Sequence, residues 1–104
     1  MAKLQIVPAG FWESIEKPPG IFRTSLATGD RVMMFTSEYK AGVESTPHAH
    51  DNEQIGYVLR GEIDVIVGDQ SYTCKAGDTY AIPGKLLHNV RARTDALVID
   101  AFDR

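Results

Sequence analysis

Gly42-Val43-Glu44-Ser45-Thr46-Pro47-His48-Ala49-His50-Asp51-Asn52-Glu53-Gln54, running on to Gly61, holds two of the three histidines in the chain, one residue apart. In an extended strand successive side chains take opposite faces, so His48 and His50 point the same way. The same parity puts Gln54 on their face and Glu53 on the other. A bulge at Asp51-Asn52 would reset it and make Glu53 the fourth group instead. His88 stands far downstream, in a segment that also reads as a strand. Two histidines from one strand and one from another close a facial set only where the strands lie side by side, as in a closed β-structure. Imidazole suits zinc, nickel, iron and copper, and an amide oxygen adds a neutral, hard donor. The expectation is one divalent transition metal ion (Zn, Ni, Fe or Mn) held by His48, His50, Gln54 and His88.

Outward from this stretch the chain breaks into short apolar runs separated by turn residues. Ile21 to Ala27 and Arg31 to Tyr39 flank Thr28-Gly29-Asp30, a hairpin loop. After the histidines, Ile55 to Arg60 and Glu62 to Val67 follow, the latter alternating Ile63, Val65 and Val67 with Glu62 and Asp64. Gly68-Asp69 turns into Ser71 to Lys75. Thr79 to Ile82 ends at Pro83-Gly84, and Leu87 to Arg93 and Ala96 to Phe102 complete the series. No stretch after residue 20 carries a helical apolar stripe, so the pattern is an all-β sandwich or barrel. Residues 1–20 are the least periodic. Leu4, Ile6 and Val7 are expected as a short edge strand and Phe11 to Lys17 as one helical turn before Pro18-Pro19-Gly20, with Phe11 and Trp12 over an open end of the core.

With 104 residues the chain fits one domain, 1–104, and needs no disulfide to bury a core. Apolar content of 43% and charged content of 24% are ordinary for a soluble protein. A net charge of −3 without a basic run argues against a nucleic-acid partner. No segment is long and apolar enough for a membrane helix, and Met1 to Gly10 does not read as a signal peptide. The single cysteine, Cys74, has no partner for an internal disulfide and reads as buried. Cytoplasm is the expected location.

The spacing Gly42, five residues, His48, one residue, His50, three residues, Gln54, six residues, Gly61 resembles the first motif of the cupin superfamily, which usually carries glutamate where Gln54 stands. The second cupin motif matches as Gly77, five residues, Pro83, then His88 five positions on. Lys85 occupies its usual glycine position and Ala92 its usual asparagine. The resemblance covers roughly residues 31–102 and implies an antiparallel jelly-roll barrel with a metal in its mouth; residues 1–20 would add an N-terminal edge strand or arm. A glutamate at position 54 would halve the net charge of a divalent site, whereas Gln54 leaves it whole. That favours Lewis-acid chemistry and anion binding over oxygen activation.

A closer resemblance is to the small pectin-degradation cupins. It rests on Gln54, on Tyr57-Val58-Leu59 with Gly61-Glu62, and on an aspartate and a phenylalanine near the C-terminus. Those proteins convert 4,5-unsaturated uronates, released from pectin or alginate, into the linear keto form. The resemblance implies that Asp100 shuttles a proton, that Phe102 lines the sugar face and that an arginine holds the uronate carboxylate as a bidentate pair. Arg104, standing nearer to Phe102 than in the family pattern, and Arg60, which shares strand parity with Gln54, are assigned to that carboxylate; Arg23 and Lys85 are the other cations available. The alternatives are an Fe- or Mn-dependent dioxygenase and a small-molecule binding cupin without turnover. Such small cupins commonly pair, so a homodimer is expected.

Overall fold

The computed structural model describes residues 3–104. Among them every regular element is a β-strand, and every pairing is antiparallel. The large sheet runs β1 (Ile15–Glu16), β2 (Ile21–Thr28), β3 (Val32–Tyr39), β9 (Ala96–Asp103), β4 (Gln54–Arg60), β7 (Thr79–Ile82). The small sheet runs β6 (Gln70–Lys75), β5 (Glu62–Val67), β8 (Asn89–Ala92). This is the all-β, antiparallel architecture that the turn spacing implied.

The alternation of β5 explains the core. Ile63 and Val65 point between the sheets and meet Val58 and Val98 of the large sheet, together with Cys74, Ile82, Val90 and Ala96. Val58, Ile63 and Val98 are wholly buried, and burying a side chain of this size contributes about 1.5–3 kcal/mol. This packed layer closes one end of the cup and leaves the other open.

The histidine segment borders the small sheet without joining its ladder. Gly42 N donates to Ala92 O over 2.8 Å and Ala92 N to Val43 O over 2.9 Å. Further along, the Ser45 hydroxyl, in place of a backbone carbonyl, accepts from Val90 N at 2.9 Å. Pro47, lacking an N–H, interrupts the ladder again. His48 and His88 then restore it, each donating its N–H to the other's carbonyl over 2.9 Å. The segment is thus a broken strand laid along β8.

The N-terminus departs from expectation. Leu4, Ile6 and Val7 form no strand, Phe11 to Lys17 form no helical turn, and the edge strand is Ile15–Glu16, paired with Phe22 and Arg23. A two-residue strand needs no apolar alternation, so nothing in the local pattern announced it. Phe11 and Trp12 are exposed and pack edge to face on each other, ring centroids 4.9 Å apart, rather than over the core. Met1 and Ala2, the start of the expected arm, lie outside the described residues.

Candidate functional site

At the open end the three histidines converge. Ring centroids are 5.3 Å apart for His48 and His50, 4.6 Å for His48 and His88, and 5.2 Å for His50 and His88. Each Nδ1 lies against a backbone carbonyl two residues away: Thr46 O at 3.1 Å for His48, Asn52 O at 3.0 Å for His50 and Leu86 O at 2.8 Å for His88. A carbonyl only accepts, so each Nδ1 carries the proton and each Nε2 presents a lone pair. The three ligand nitrogens lie within 4.8 Å of one another. His50 Nε2 is buried and has no hydrogen-bond partner. Burial lowers the pKa of His88, and the two neighbouring histidines lower it further against the Leu86 carbonyl.

Of these three clustered nitrogens, the His50 Nε2 is buried without a donor, which is costly unless a cation or a donor faces it. Neutral imidazoles with second-position hydrogen bonds that fix their tautomers are what a transition ion requires, so this donor set fits such an ion.

Beside the histidines, a cavity of about 310 Å³ is lined by side chains of both sheets, among them Arg23, Phe35, Gln54, Asp100 and Phe102. The register of the large sheet sets them in rows. Phe35, Asp100, Gly56 and Tyr80 lie directly across β3, β9, β4 and β7. Phe102 and Gln54 form the next row toward the histidines, with the Phe102 ring 5.0 Å from His50. Gly56 allows this arrangement: a Cβ there would stand 2.2 Å from Tyr80 Cζ and 2.5 Å from Asp100 Oδ1. Through that gap the Tyr80 hydroxyl donates to Asp100 Oδ1 at 2.6 Å, and Gln54 Nε2 donates to the same oxygen at 3.0 Å.

Burial raises the pKa of Asp100, and the hydrogen bonds from Tyr80 and Gln54 and the charge of Arg23 oppose it. Burial also raises Tyr80, helped by Asp100. Tyr39 is pushed up to about 12 by burial and then by Asp100, against Ser37 and Arg23.

His48, His50, His88, Gln54, Asp100 and Phe102 are therefore brought to one end of the cup. Glu53 is exposed, whereas Gln54 is buried and lines the cavity; residues 51 and 52 between it and His50 form a bend rather than extended strand. Arg60 lies elsewhere. The pairing shifts from Val58↔Val98 to Arg60↔Leu97, so a bulge at the end of β4 cancels the parity Arg60 would share with Gln54. Its guanidinium sits 3.7 Å from exposed Glu38, at a separate surface cleft. Arg104 also lies outside the cavity. It follows the end of β9, and its N–H and Nη1 donate to Arg31 O and Gly29 O at 2.8 and 3.0 Å. Lys85 stands in the loop before His88 with a φ of 70°. The arginine that does line the cavity is Arg23, on the same face of β2 as Ile21. The alternation of that strand was readable; which end of the barrel it faced was not.

A family model for the cupin domain matches residues 35–102. The chain is 32% identical over 93 residues to the pectin degradation protein KdgF of Dickeya dadantii (strain 3937), a span of 88% of this chain and 83% of that protein. Among solved structures, KdgF from a Halomonas species superposes with a TM-score of 0.87 at 28% identity, covering 97% of this chain and 94% of the other. An RmlC-like cupin from Shewanella frigidimarina NCIMB 400 gives a TM-score of 0.87 at 25% identity, with 98% and 92% covered.

Proposed function

The chain belongs to the cupin family, close to the pectin degradation protein KdgF, and from that premise we propose that it is a metal-dependent enzyme opening the ring of 4,5-unsaturated uronates to their linear keto form. The observation that carries this reading is a cluster of three histidine nitrogens within 4.8 Å of one another beside a cavity that His48, His88 and the buried carboxylate of Asp100 line together. His48, His50, His88 and the Gln54 amide oxygen would hold a divalent transition ion, which supplies Lewis-acid polarisation of a substrate oxygen when bound.

The rest of the chemistry falls to the protein. Asp100 Oδ1 is taken up by Tyr80 and Gln54, so the proton moves at Oδ2. There Asp100 accepts the proton of the anomeric hydroxyl as the bond between the anomeric carbon and the ring oxygen breaks. The electron pair stays on the ring oxygen as an enolate. Return of the proton from Oδ2 to C4 turns that enolate into the ketone, so the reaction is an isomerisation with no net proton taken or released. Phe102 forms an apolar wall for the sugar face.

The homodimer and a cytoplasmic location belong to the same reading. Exposed Val32, Met34, Ile55 and Tyr57 on the outer face of the large sheet support the dimer, and sedimentation equilibrium tests it.

The test is metal analysis of protein purified without added metal, beside a screen of unsaturated uronates followed by NMR. Expected are a bound divalent ion, accelerated formation of the linear keto acid, and loss of turnover in Asp100→Asn with the ion retained. Bound metal with no acceleration for any unsaturated uronate would overturn the enzyme reading in favour of a binding cupin. Oxygen uptake by an anaerobically Fe(II)-loaded form would overturn it in favour of an oxygenase.

A further inference from the structure

Arg23 stands directly across from Ser37 of β3, one row away from Phe35. Its guanidinium carbon lies 3.6 Å from the Phe35 ring centroid and 5.8 Å from that of Phe102. Phe35 and Phe102 meet at 4.9 Å, and Phe102 lies 5.0 Å from His50. Cation, two aromatic rings and histidine thus form one continuous wall.

Stacking on Phe35 fixes the plane of the guanidinium and leaves its N–H edge open, which is the geometry for a planar anion. Among the described residues the arginine ion pairs are Arg60 with Glu38, Arg91 with Glu44 and Asp64, and Arg93 with Asp64. Arg23 is in none of them. Arg23 as a residue is exposed at the cavity mouth, but the Phe35 ring against its guanidinium shields one face. Burial lowers its pKa and the nearby Asp100 charge raises it, so the group is partly desolvated without a direct carboxylate contact. Partial desolvation strengthens any hydrogen bond it makes to an anion. Lys17 lines the same cavity, but an ammonium on a flexible stem offers no fork.

We propose that Arg23 is the carboxylate-binding residue of this site, gripping the acid group of the substrate through its open N–H edge while Phe35 and Phe102 flank the ring and the reacting end lies toward Asp100 and the histidines. The inference rests on the sugar-acid reading above. It moves the carboxylate contact from the C-terminus, where Arg104 is tied to a turn, to β2.

The test compares wild type, Arg23→Gln and Arg23→Lys on an unsaturated galacturonate and on its methyl ester, with matched metal content and near-UV circular dichroism as the check on folding. Arg23→Gln is expected to raise KM for the acid about 30- to 100-fold, the range for losing a charged hydrogen-bonded contact, with kcat within about threefold. The ester is expected to be handled alike by wild type and variant. Arg23→Lys keeps the charge but loses the fork and is expected to fall between. Equal impairment on acid and ester, or an unchanged KM for the acid, overturns the proposal. A separate arm follows equilibrium binding of D-galacturonate against D-galactose by NMR. If wild type turns over no unsaturated uronate, the functional reading fails. The binding arm then decides for Arg23 alone: loss of the galacturonate preference in Arg23→Gln supports it, and an unchanged preference overturns it.

Discussion

The Gln54 side-chain amide donates to Asp100 Oδ1 over 3.0 Å, inside the cup and beneath the histidines. An ionised carboxylate only accepts, so this contact fixes the nitrogen of Gln54 toward Asp100 and turns its oxygen the other way. Gln54→Glu, which installs the residue usual in the first cupin motif, would replace that bond by two carboxylates in contact. One must then stay protonated, and the expected cost is about 1–3 kcal/mol at neutral pH. Adding Asp100→Asn restores a donor and is expected to recover most of the loss. Urea unfolding of the two single variants and the double variant measures the coupling; additive effects would show that the two side chains do not interact.

The proposed metal site rests on the same pair. Asp100→Asn keeps an acceptor oxygen for Gln54 and Tyr80, whereas Asp100→Leu keeps none and frees the Gln54 amide to flip. Loss of an outer partner of this kind weakens metal affinity about 10- to 100-fold. Calorimetric titration with Zn²⁺ or Ni²⁺ is expected to show that drop in Asp100→Leu and little change in Asp100→Asn.

Gly56 keeps open the space in which Tyr80 reaches Asp100. Gly56→Ala must push Tyr80 off Asp100 or open the β4–β7 edge, at an expected cost of about 1–3 kcal/mol, typical of overpacking. Tyr80→Phe removes only the hydroxyl and is expected to cost about 1 kcal/mol. Tyr80→Ala in the Gly56→Ala background relieves the clash with the ring and leaves only that with Asp100 Oδ1, so the pair is expected to be less destabilising than the sum of its parts.

The strands from Ile21 onward were legible because Gly, Pro and Asp punctuate runs such as Ile63-Asp64-Val65 whose parity has a buried and an open side. The histidine cluster was legible from the spacing of His48, His50 and Gln54, although residues 51 and 52 bend rather than continue a strand. What the chain did not disclose depends on partners distant in sequence. The reach of Tyr80 to Asp100 needs the register of three strands and a glycine between them. The outward turn of Arg60 needs a bulge that appears only once β4 meets β9. The two-residue strand Ile15–Glu16 exists because β2 offers it an edge, not because of its own residues.

Lys85 holds a left-handed backbone conformation, φ 70°, at the position where the second cupin motif usually has glycine. An L side chain there costs about 1–2 kcal/mol, partly offset because glycine loses more chain entropy on folding, by about 0.5–1 kcal/mol. Lys85→Gly is therefore expected to stabilise the fold by up to about 1.5 kcal/mol, while Lys85→Ala keeps the strain and gains nothing. Gly84→Ala is expected to destabilise, since its Cβ would stand 2.3 Å from the Asp51 carbonyl oxygen. Thermal unfolding of the three variants separates these outcomes.

On the outer face of the small sheet, Asp64 is wholly buried beneath two arginines. Arg93 Nε and Thr73 Oγ1 donate to its Oδ1 at 2.8 Å, and Arg91 Nη2 donates to its Oδ2 at 2.9 Å. Burial by itself would raise its pKa, but these three donors hold it down at about 2, below the ordinary 3.8. A carboxylate whose folded pKa is depressed stabilises the fold above its unfolded pKa and loses that stabilisation as pH falls through the folded value. Urea midpoints are therefore expected to decline from about pH 4 to about pH 2 on account of this group. Asp64→Asn is expected to lower the midpoint at neutral pH, because both guanidinium groups lose the buried carboxylate and only Arg91 keeps another, Glu44, and to flatten the curve within that acid window. A variant curve running parallel to wild type from pH 4 to pH 2 would mean that other carboxylates govern the acid transition.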